Sequence, residues 1–200
     1  KLQISLCALK KGHDFVYHDL FKSYEKKIFS FSRKVKTKQA YSPVYKFLLE
    51  NGNVIANSSV VLRASTLKKI NCISEDPSLI AAEDFDCWLR FAKETDRFKR
   101  IGGCHGYYWI GANNTSSAKN TVINLKYIIK SHYEDLNEAE KKDIDMSKLV
   151  YSIIKSYLVL GDYDKANRYQ IILKKFRVNI PIRFKLILLN LVSHIRKLIE

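Results

Sequence analysis

The chain is 200 residues long, 46% hydrophobic and 12% aromatic, which is enough apolar material for a packed core and excludes a wholly disordered protein. Its formal net charge of +15 favours an anionic partner, such as a phosphorylated substrate, nucleic acid or an acidic membrane surface. The four cysteines form no CxxC pair and no HExxH occurs, so the sequence argues against a structural zinc site, a disulfide framework and a zinc protease. Reduced thiols of this kind are typical of a cytoplasmic protein.

The first half of the chain is predicted to alternate helices and strands. A helix is expected over residues 1–11, with three leucines on one side: Leu2, Leu6 and Leu9. A short strand follows in DFVYHDLF, rich in aromatic and β-branched residues. A second short helix, over residues 43–50, ends at the turn signal Asn51-Gly52. The next segment, NVIANSSVVLRA, is typical of another strand.

The stretch AAEDFDCWLRFA begins acidic and then becomes apolar. Its large apolar residues recur at helical spacing and predict one buried face: Phe85, Trp88, Leu89 and Ala92. Acidic residues are favoured in a first turn because unpaired N–H groups and the helix dipole stabilise negative charge there. Asp86 and Arg90, four residues apart, predict a structural ion pair. Taken alone, Glu83 and Asp84 are therefore explained by helix structure.

The second half of the chain is predicted to be helical. Gly102-Gly103 leads into the aromatic strand and polar loop of CHGYYWIGANNTSS. From residue 121 onward the pattern indicates helices only, including a helical hairpin over 148–160 and 163–175. A last helix is expected to start at Asn179, with Pro181 in its first turn.

Three segments, in the order NSSVVLRASTLKKI, AAEDFDCWLRFA and GYYWIGANNTSS, resemble the C-terminal half of family 2 glycosyltransferases with the GT-A fold. The opening KLQISLCALKKGHDFVYHD is similar to the segment that follows the family's acidic metal-binding motif. The resemblance covers residues 1–117. It implies an α/β fold in which residues 1–120 form the C-terminal half of a GT-A domain, contributing the acceptor wall and the base. Residues 121–200 would form an all-helical tail.

The resemblance also implies roles for single residues. Asp84 matches the general base, which accepts a proton from the acceptor hydroxyl during transfer with inversion. Glu83 would shape the acceptor pocket or pair with a cation. Ser58 and Ser59 correspond to the strand beside the acceptor or sugar site. They are explained equally well as ordinary polar residues of a half-buried strand. The loop that closes on the donor corresponds to Trp109, Asn113 and Asn114. Family members often carry an Arg and a His in that loop, so the usual diphosphate contact is not carried over.

The family's nucleotide-binding βαβ half and its Asp-x-Asp motif are absent from this sequence. The resemblance implies that an upstream segment of about 100 residues supplies them, half a domain by size. The complete enzyme would use a divalent cation, Mg or Mn, whose ligands are not in this chain. We therefore expect these 200 residues to be inactive alone. The expected substrates are a nucleotide-sugar donor and a glycan or lipid-linked acceptor in bacterial surface polysaccharide biosynthesis.

The segment PIRFKLILLNLVSHIRKLIE predicts a basic amphipathic helix that lies on an anionic membrane surface. Its membrane-contacting cations would be Arg183, Lys185, Arg196 and Lys197. A helix docked on the rest of the chain, with solvated charges, is an equal alternative. The location would then be cytoplasmic and peripheral, on the inner face of the membrane. The alternative function is a non-catalytic basic module for a nucleic-acid or protein partner, but no RNA-recognition, KH or zinc motif supports nucleic acid.

Overall fold

The computed structural model describes residues 1–24, 33–111, 117–134, 136–174, 176, 182 and 186. The chain divides into two compact units. The first consists of Lys1–Leu48 and Asn53–Thr115, and the second of Leu49–Gly52 and Ser116–Glu200. The division after Thr115 stands near the predicted boundary at residue 120.

Helices and strands alternate up to residue 110. In chain order they are α1 (Leu2–Lys10), β1 (Phe15–Tyr24), β2 (Lys34–Val35), α2 (Val44–Asn51), β3 (Val61–Leu62), α3 (Ala64–Lys69), α4 (Glu83–Glu94) and β4 (Phe98–Ile110). Two single turns of 3₁₀-helix lie at Asn57–Ser59 and Pro77–Leu79. The strands form one open mixed sheet, so the predicted α/β class is confirmed.

Strand β1 is the centre of the sheet. It pairs in parallel with β4, from Phe15 opposite Phe98 to Tyr24 opposite Ile110. It also pairs antiparallel with the two short strands β3 and β2, one after the other along its length. The parallel register shifts twice, after His18 and after Asp19. Gly102 and Gly103, expected to precede a strand, instead lie within β4 at the first of these irregularities. Gly103 has φ +86°, a left-handed conformation that glycine adopts without strain.

An aromatic cluster joins α4 to the sheet. The ring of Phe15 stands edge-on to Trp88 at 4.8 Å and to Phe91 at 5.3 Å, and stacks on Phe98 at 4.3 Å. The predicted apolar face of α4 is buried, as Phe85, Trp88, Leu89 and Ala92 all are. Because strand side chains alternate, Tyr17 points to the same face as Phe15, and His18 points to the other.

Helix α1 presents apolar side chains to solvent. Leu2 is 65% exposed and Leu6 is 50% exposed, whereas Ser5 is the buried residue of this helix. The leucines lie on one side, as the spacing predicts, but within the described residues nothing covers that side. The helix therefore packs against β1 and β3 through a different face from the one the sequence pattern indicates.

A buried carboxylate fixes the start of the sheet. Asp14 is 1% exposed and accepts hydrogen bonds from Arg63 Nε at 2.6 Å, Arg97 Nε at 2.7 Å and Thr95 Oγ1 at 3.0 Å. The Asp14 backbone also bonds both arginines, since its N–H donates to Arg97 and its carbonyl accepts from Arg63. Burial alone would raise the pKa of Asp14, but these donors outweigh burial and lower it below 3.8.

The remaining described elements are helical. They are α5 (Ala118–Ile129), a π-helical turn (Lys130–Glu134), α6 (Glu138–Asp143), α7 (Ser147–Val159) and α8 (Tyr163–Leu173). The predicted hairpin is confirmed as α7 and α8, separated by the turn at Gly161. Their buried core contains Val122, Ile153, Ile154, Ala166 and Ile182, with Leu186 packed against it. Within the described ranges, no helix combines the length and the apolarity needed to cross a bilayer.

Replacing Asp14 should destabilise the first unit. In Asp14→Asn, Arg63 and Arg97 lose their anionic partner. Their side chains are 42% and 65% exposed, so water can solvate the guanidinium groups instead. We expect a loss of about 2 kcal/mol at neutral pH, below the usual cost of breaking a fully buried pair. Because folding lowers the pKa of Asp14, the stabilisation is present above 3.8 and disappears as pH falls through the folded-state value.

Urea unfolding followed by tryptophan fluorescence measures this effect, because both tryptophans lie in the first unit. Glu75→Gln, which removes an exposed carboxylate from the same unit, is the matched control and should leave stability unchanged. Equal stability of Asp14→Asn and the parent chain at neutral pH would contradict the assigned role of Asp14.

Candidate functional site

The candidate site is built on the first turn of α4. Only Thr95–Arg97 joins α4 to β4, so the helix runs back along the parallel strands β1 and β4. Its first turn lies about one helical turn beyond Trp88, which packs on Phe15 at the start of β1. Ala81, with φ +70°, turns the chain into the helix, and Ala82 gives it no side-chain cap.

Asp84 is half-buried at the second position of this helix. Its Oδ1 accepts hydrogen bonds from Phe85 N–H at 2.7 Å and from the Asn53 amide at 3.1 Å. The first bond satisfies a backbone donor at the helix start, so part of the role of Asp84 is structural. Both of these neighbouring donors reach the same oxygen of the carboxylate, Oδ1.

The pKa of Asp84 is raised above 3.8. Burial is the main cause, the charge of Glu83 adds to it, and the hydrogen bonds from Asn53 and Phe85 oppose it. This outcome differs from the expectation that a helix start favours the ionised form, because desolvation outweighs the donors here. A carboxylate with a raised pKa is a better proton acceptor than an ordinary surface aspartate.

Glu83 precedes Asp84 and is also half-buried. Its Oε2 is buried and has no hydrogen-bond partner among the residues that the structure describes. A buried carboxylate oxygen without a donor is unusual in folded proteins.

The predicted pair Asp86–Arg90 is confirmed at 2.7 Å and serves to anchor α4. Arg90 Nη1 also donates to the carbonyls of Ile70 and Cys72, the second at 2.9 Å. Asn71 and Cys72 have φ of +59° and +60°, so this turn adopts left-handed geometry while Arg90 binds its carbonyls. These contacts hold the helix, and none of them reaches Asp84.

The structure does not place Ser58 and Ser59 in a strand. They belong to the 3₁₀ turn that precedes the two-residue strand β3. Ser59 is buried and its Oγ donates to the Ala56 carbonyl at 2.6 Å, so its hydroxyl is already used. Ser58 is exposed, and its carbonyl accepts from Lys1 Nζ at 2.7 Å. Extended geometry fails here because the local Ser hydrogen bond favours a turn.

Trp109 lies near the end of β4, opposite Ser23 of β1, and is 54% exposed. A Cβ at Gly111 would come within 2.7 Å of its indole nitrogen, so the ring lies over Gly111. In the described part of the chain, no hydrogen bond or ion pair joins Trp109, Ser58 or Ser59 to Asp84. The predicted residues Asn113 and Asn114 lie outside the described residues.

Two features of this region escaped the sequence prediction. Asn53 is the first residue of the segment predicted as a strand, and nothing in the local pattern marks it as a partner of a residue 31 positions away. His18 is fully buried, its Nδ1–H donates to the Asp19 carbonyl at 2.7 Å, and its ring lies 5.3 Å from that of His105. Burial lowers the pKa of His18, which favours the neutral form of its ring. Strand alternation puts His18 on the face opposite α4, away from Asp84.

Replacing Asp84 should stabilise the fold. Because folding raises the pKa of Asp84, its ionised form destabilises the folded state once pH exceeds 3.8. Asp84→Asn keeps an oxygen that accepts from Phe85 and Asn53 but carries no charge. We expect Asp84→Asn to have a higher urea midpoint than the parent chain at neutral pH, again measured by tryptophan fluorescence. The difference between the two midpoints should disappear as pH falls below 3.8, where Asp84 is protonated in both the folded and the unfolded chain. A lower midpoint at neutral pH would show that Asp84 acts mainly as a helix cap.

Comparison of the chain with models of protein families, with curated proteins and with solved structures found no match. A functional assignment therefore depends on the residues of the site and on the resemblance of three sequence segments. Of these segments, AAEDFDCWLRFA contributes the residues with the most unusual environment, Glu83 and Asp84.

Proposed function

We propose that this chain is the acceptor-side part of an inverting glycosyltransferase with a GT-A fold. It would transfer a sugar from a nucleotide-sugar donor to a glycan or lipid-linked acceptor in bacterial surface polysaccharide biosynthesis. The observation that carries the proposal is the environment of Asp84. This half-buried carboxylate has a raised pKa and one oxygen held by two donors.

The chemistry follows from that environment. An acceptor hydroxyl placed at Oδ2 of Asp84 attacks the anomeric carbon, a new carbon–oxygen bond forms, and the bond to the nucleotide diphosphate breaks. A carboxylate is too weak to ionise an alcohol beforehand, so the proton moves to Asp84 as the new bond forms. Asn53 fixes the orientation of the carboxylate, and Glu83 beside it would shape the acceptor pocket or pair with a cation.

The proposal requires a nucleotide-binding part outside these residues. Among the described residues, no group of three or more His, Cys, Asp or Glu side chains could hold a metal ion. We propose that the ligands of the Mg or Mn ion lie in another segment, and no step is derived through the ion. The exposed leucines of α1, Leu2 and Leu6, support the proposal because they offer an apolar surface on which another segment can pack.

Membrane association is a further part of the proposal. The four cations predicted to contact the membrane lie outside the described residues: Arg183, Lys185, Arg196 and Lys197. Of the same segment, Ile182 is buried in the helical core and Leu186 packs against it. Neither belongs to the predicted apolar stripe of that segment, which comprises Phe184, Ile187, Leu188, Leu191, Ile195 and Leu198. We propose that these apolar residues contact the membrane surface and that the enzyme lies on its cytoplasmic face.

Loss of transfer in Asp84→Asn tests the proposal. The assay uses the longest natural product that contains this chain, a panel of nucleotide sugars, a lipid extract as acceptor, and nucleotide diphosphate release as the signal. Removing a general base should lower turnover on the order of 10³-fold while donor binding persists. Asp164→Asn, which removes an exposed carboxylate from the second position of α8, is the matched control and should leave turnover unchanged.

Retained turnover in Asp84→Asn would exclude this residue as the base. If the parent protein releases no nucleotide from any donor but shifts DNA or RNA in a salt-sensitive manner, the basic binding module is the correct function. The present 200 residues should release none by themselves. Turnover by these residues alone would contradict the assignment of the donor site to another segment.

A further inference from the structure

A cavity of about 440 Å³ lies within the helical unit, lined by residues of α5, the π-helical turn, α7 and α8. Its volume falls in the range of small-molecule sites, roughly 300–1,000 Å³. It has no part in the glycosyl transfer proposed above, since all its lining residues belong to the second unit. Its function therefore has to be inferred from its own walls.

The interior of the cavity is apolar and aromatic. Met146 and Val150 of α7 are buried beneath it. Tyr133, Tyr169 and Phe176 form its walls, and the rings of Tyr133 and Phe176 are 6.3 Å apart. Such a lining favours a hydrocarbon chain or a flat apolar group over a polar ligand, because it offers few hydrogen-bonding groups to replace water.

The rim of the cavity is cationic. Lys126 and Lys130 are exposed and four residues apart, so they lie on one side of the helix. Lys126 Nζ lies 5.6 Å from the ring centroids of both Tyr157 and Tyr169, which holds the ammonium at the edge of the cavity. Glu134 is the one acidic residue in the described lining, so the two lysines leave a net positive rim.

The backbone around the cavity is irregular at the same place. α5 does not continue as an ordinary helix but passes into a π-helical turn at Lys130–Glu134, which contributes Lys130, Tyr133 and Glu134 to the lining. A π-helical turn is less favourable than α-helix, and such turns occur frequently at functional sites. Here the turn directs an aromatic ring and two charged side chains toward one cavity.

The geometry points to a binding site for an amphipathic anion, with a single apolar chain in the cavity and a phosphate or carboxylate group at Lys126 and Lys130. A cationic amphiphile would be repelled by the two ammonium groups. A neutral one would gain the apolar contacts but no charge contact with the two lysines. The inference does not depend on the glycosyltransferase proposal, because it uses other residues in a separate unit.

Isothermal titration of the full chain with dodecyl phosphate, below its micelle-forming concentration, tests the inference. We expect one ligand per chain, at least about tenfold tighter binding than dodecyl maltoside, and no saturable heat with inorganic phosphate. Dodecanoate distinguishes the two head groups, since tighter binding of dodecyl phosphate assigns a phosphate site and tighter binding of dodecanoate assigns a carboxylate site. Absence of saturable binding by both anions would overturn the inference.

Paired variants separate the cavity from the general positive charge of the chain. The double variant Lys126→Gln, Lys130→Gln should weaken binding about tenfold or more, whereas Lys119→Gln, Lys155→Gln, from exposed positions of α5 and α7, should not. Ile172→Trp fills the cavity and should abolish binding, whereas Ile171→Trp, beside it but outside the lining, should not. Equal affinities within either pair, with helical content intact, would overturn the inference.

Discussion

The first unit depends on the buried carboxylate of Asp14. Its side chain binds Arg63, Arg97 and Thr95, and its backbone bonds both arginines as well. Arg63 also donates to the carbonyls of Leu9 and His13, at the end of α1. One anion therefore connects the end of α1, the start of β1, the start of α3 and the connection between α4 and β4. Charge-assisted hydrogen bonds of this kind are stronger than hydrogen bonds between neutral groups.

This arrangement determines where the candidate base lies. With the α4–β4 connection held by Asp14 and the middle of α4 held by Arg90 to the Ile70–Cys72 turn, the helix cannot slide along the sheet. Phe15, Trp88 and Phe91 fill the space between helix and strand. The first turn is thus held at a defined place beside the sheet. The position of Asp84 follows from contacts at the opposite end of the same helix.

The features predicted correctly from sequence are those in which local pattern and tertiary packing agree. The apolar spacing of α4 and the α7–α8 hairpin are examples, since periodicity alone identifies the faces that become buried. Leu2 and Leu6 show where such inference fails. Their spacing is helical, but the pattern cannot tell which face the sheet covers, and the structure buries Ser5 instead.

Long-range contacts account for the other differences. The pairing of Asn53 with Asp84 depends on a loop and a helix meeting in space, and no sequence spacing encodes it. The pKa of Asp84 is another case, since the helix start favours the anion while burial opposes it, and burial is known only from the fold. The glycine pair within β4 became a strand irregularity because β1 continues beside it.

Several of the positive charges of the chain are used in ion pairs within the fold. Arg63 and Arg97 are bound to Asp14, Arg100 to Asp19 and Arg90 to Asp86, so these arginines stabilise the fold. A net charge of +15 therefore does not by itself describe a surface ready for an anion. Lys126 and Lys130 differ because they line a cavity whose interior is apolar. Both are exposed, so their contribution depends on a ligand that the apolar interior holds beside them.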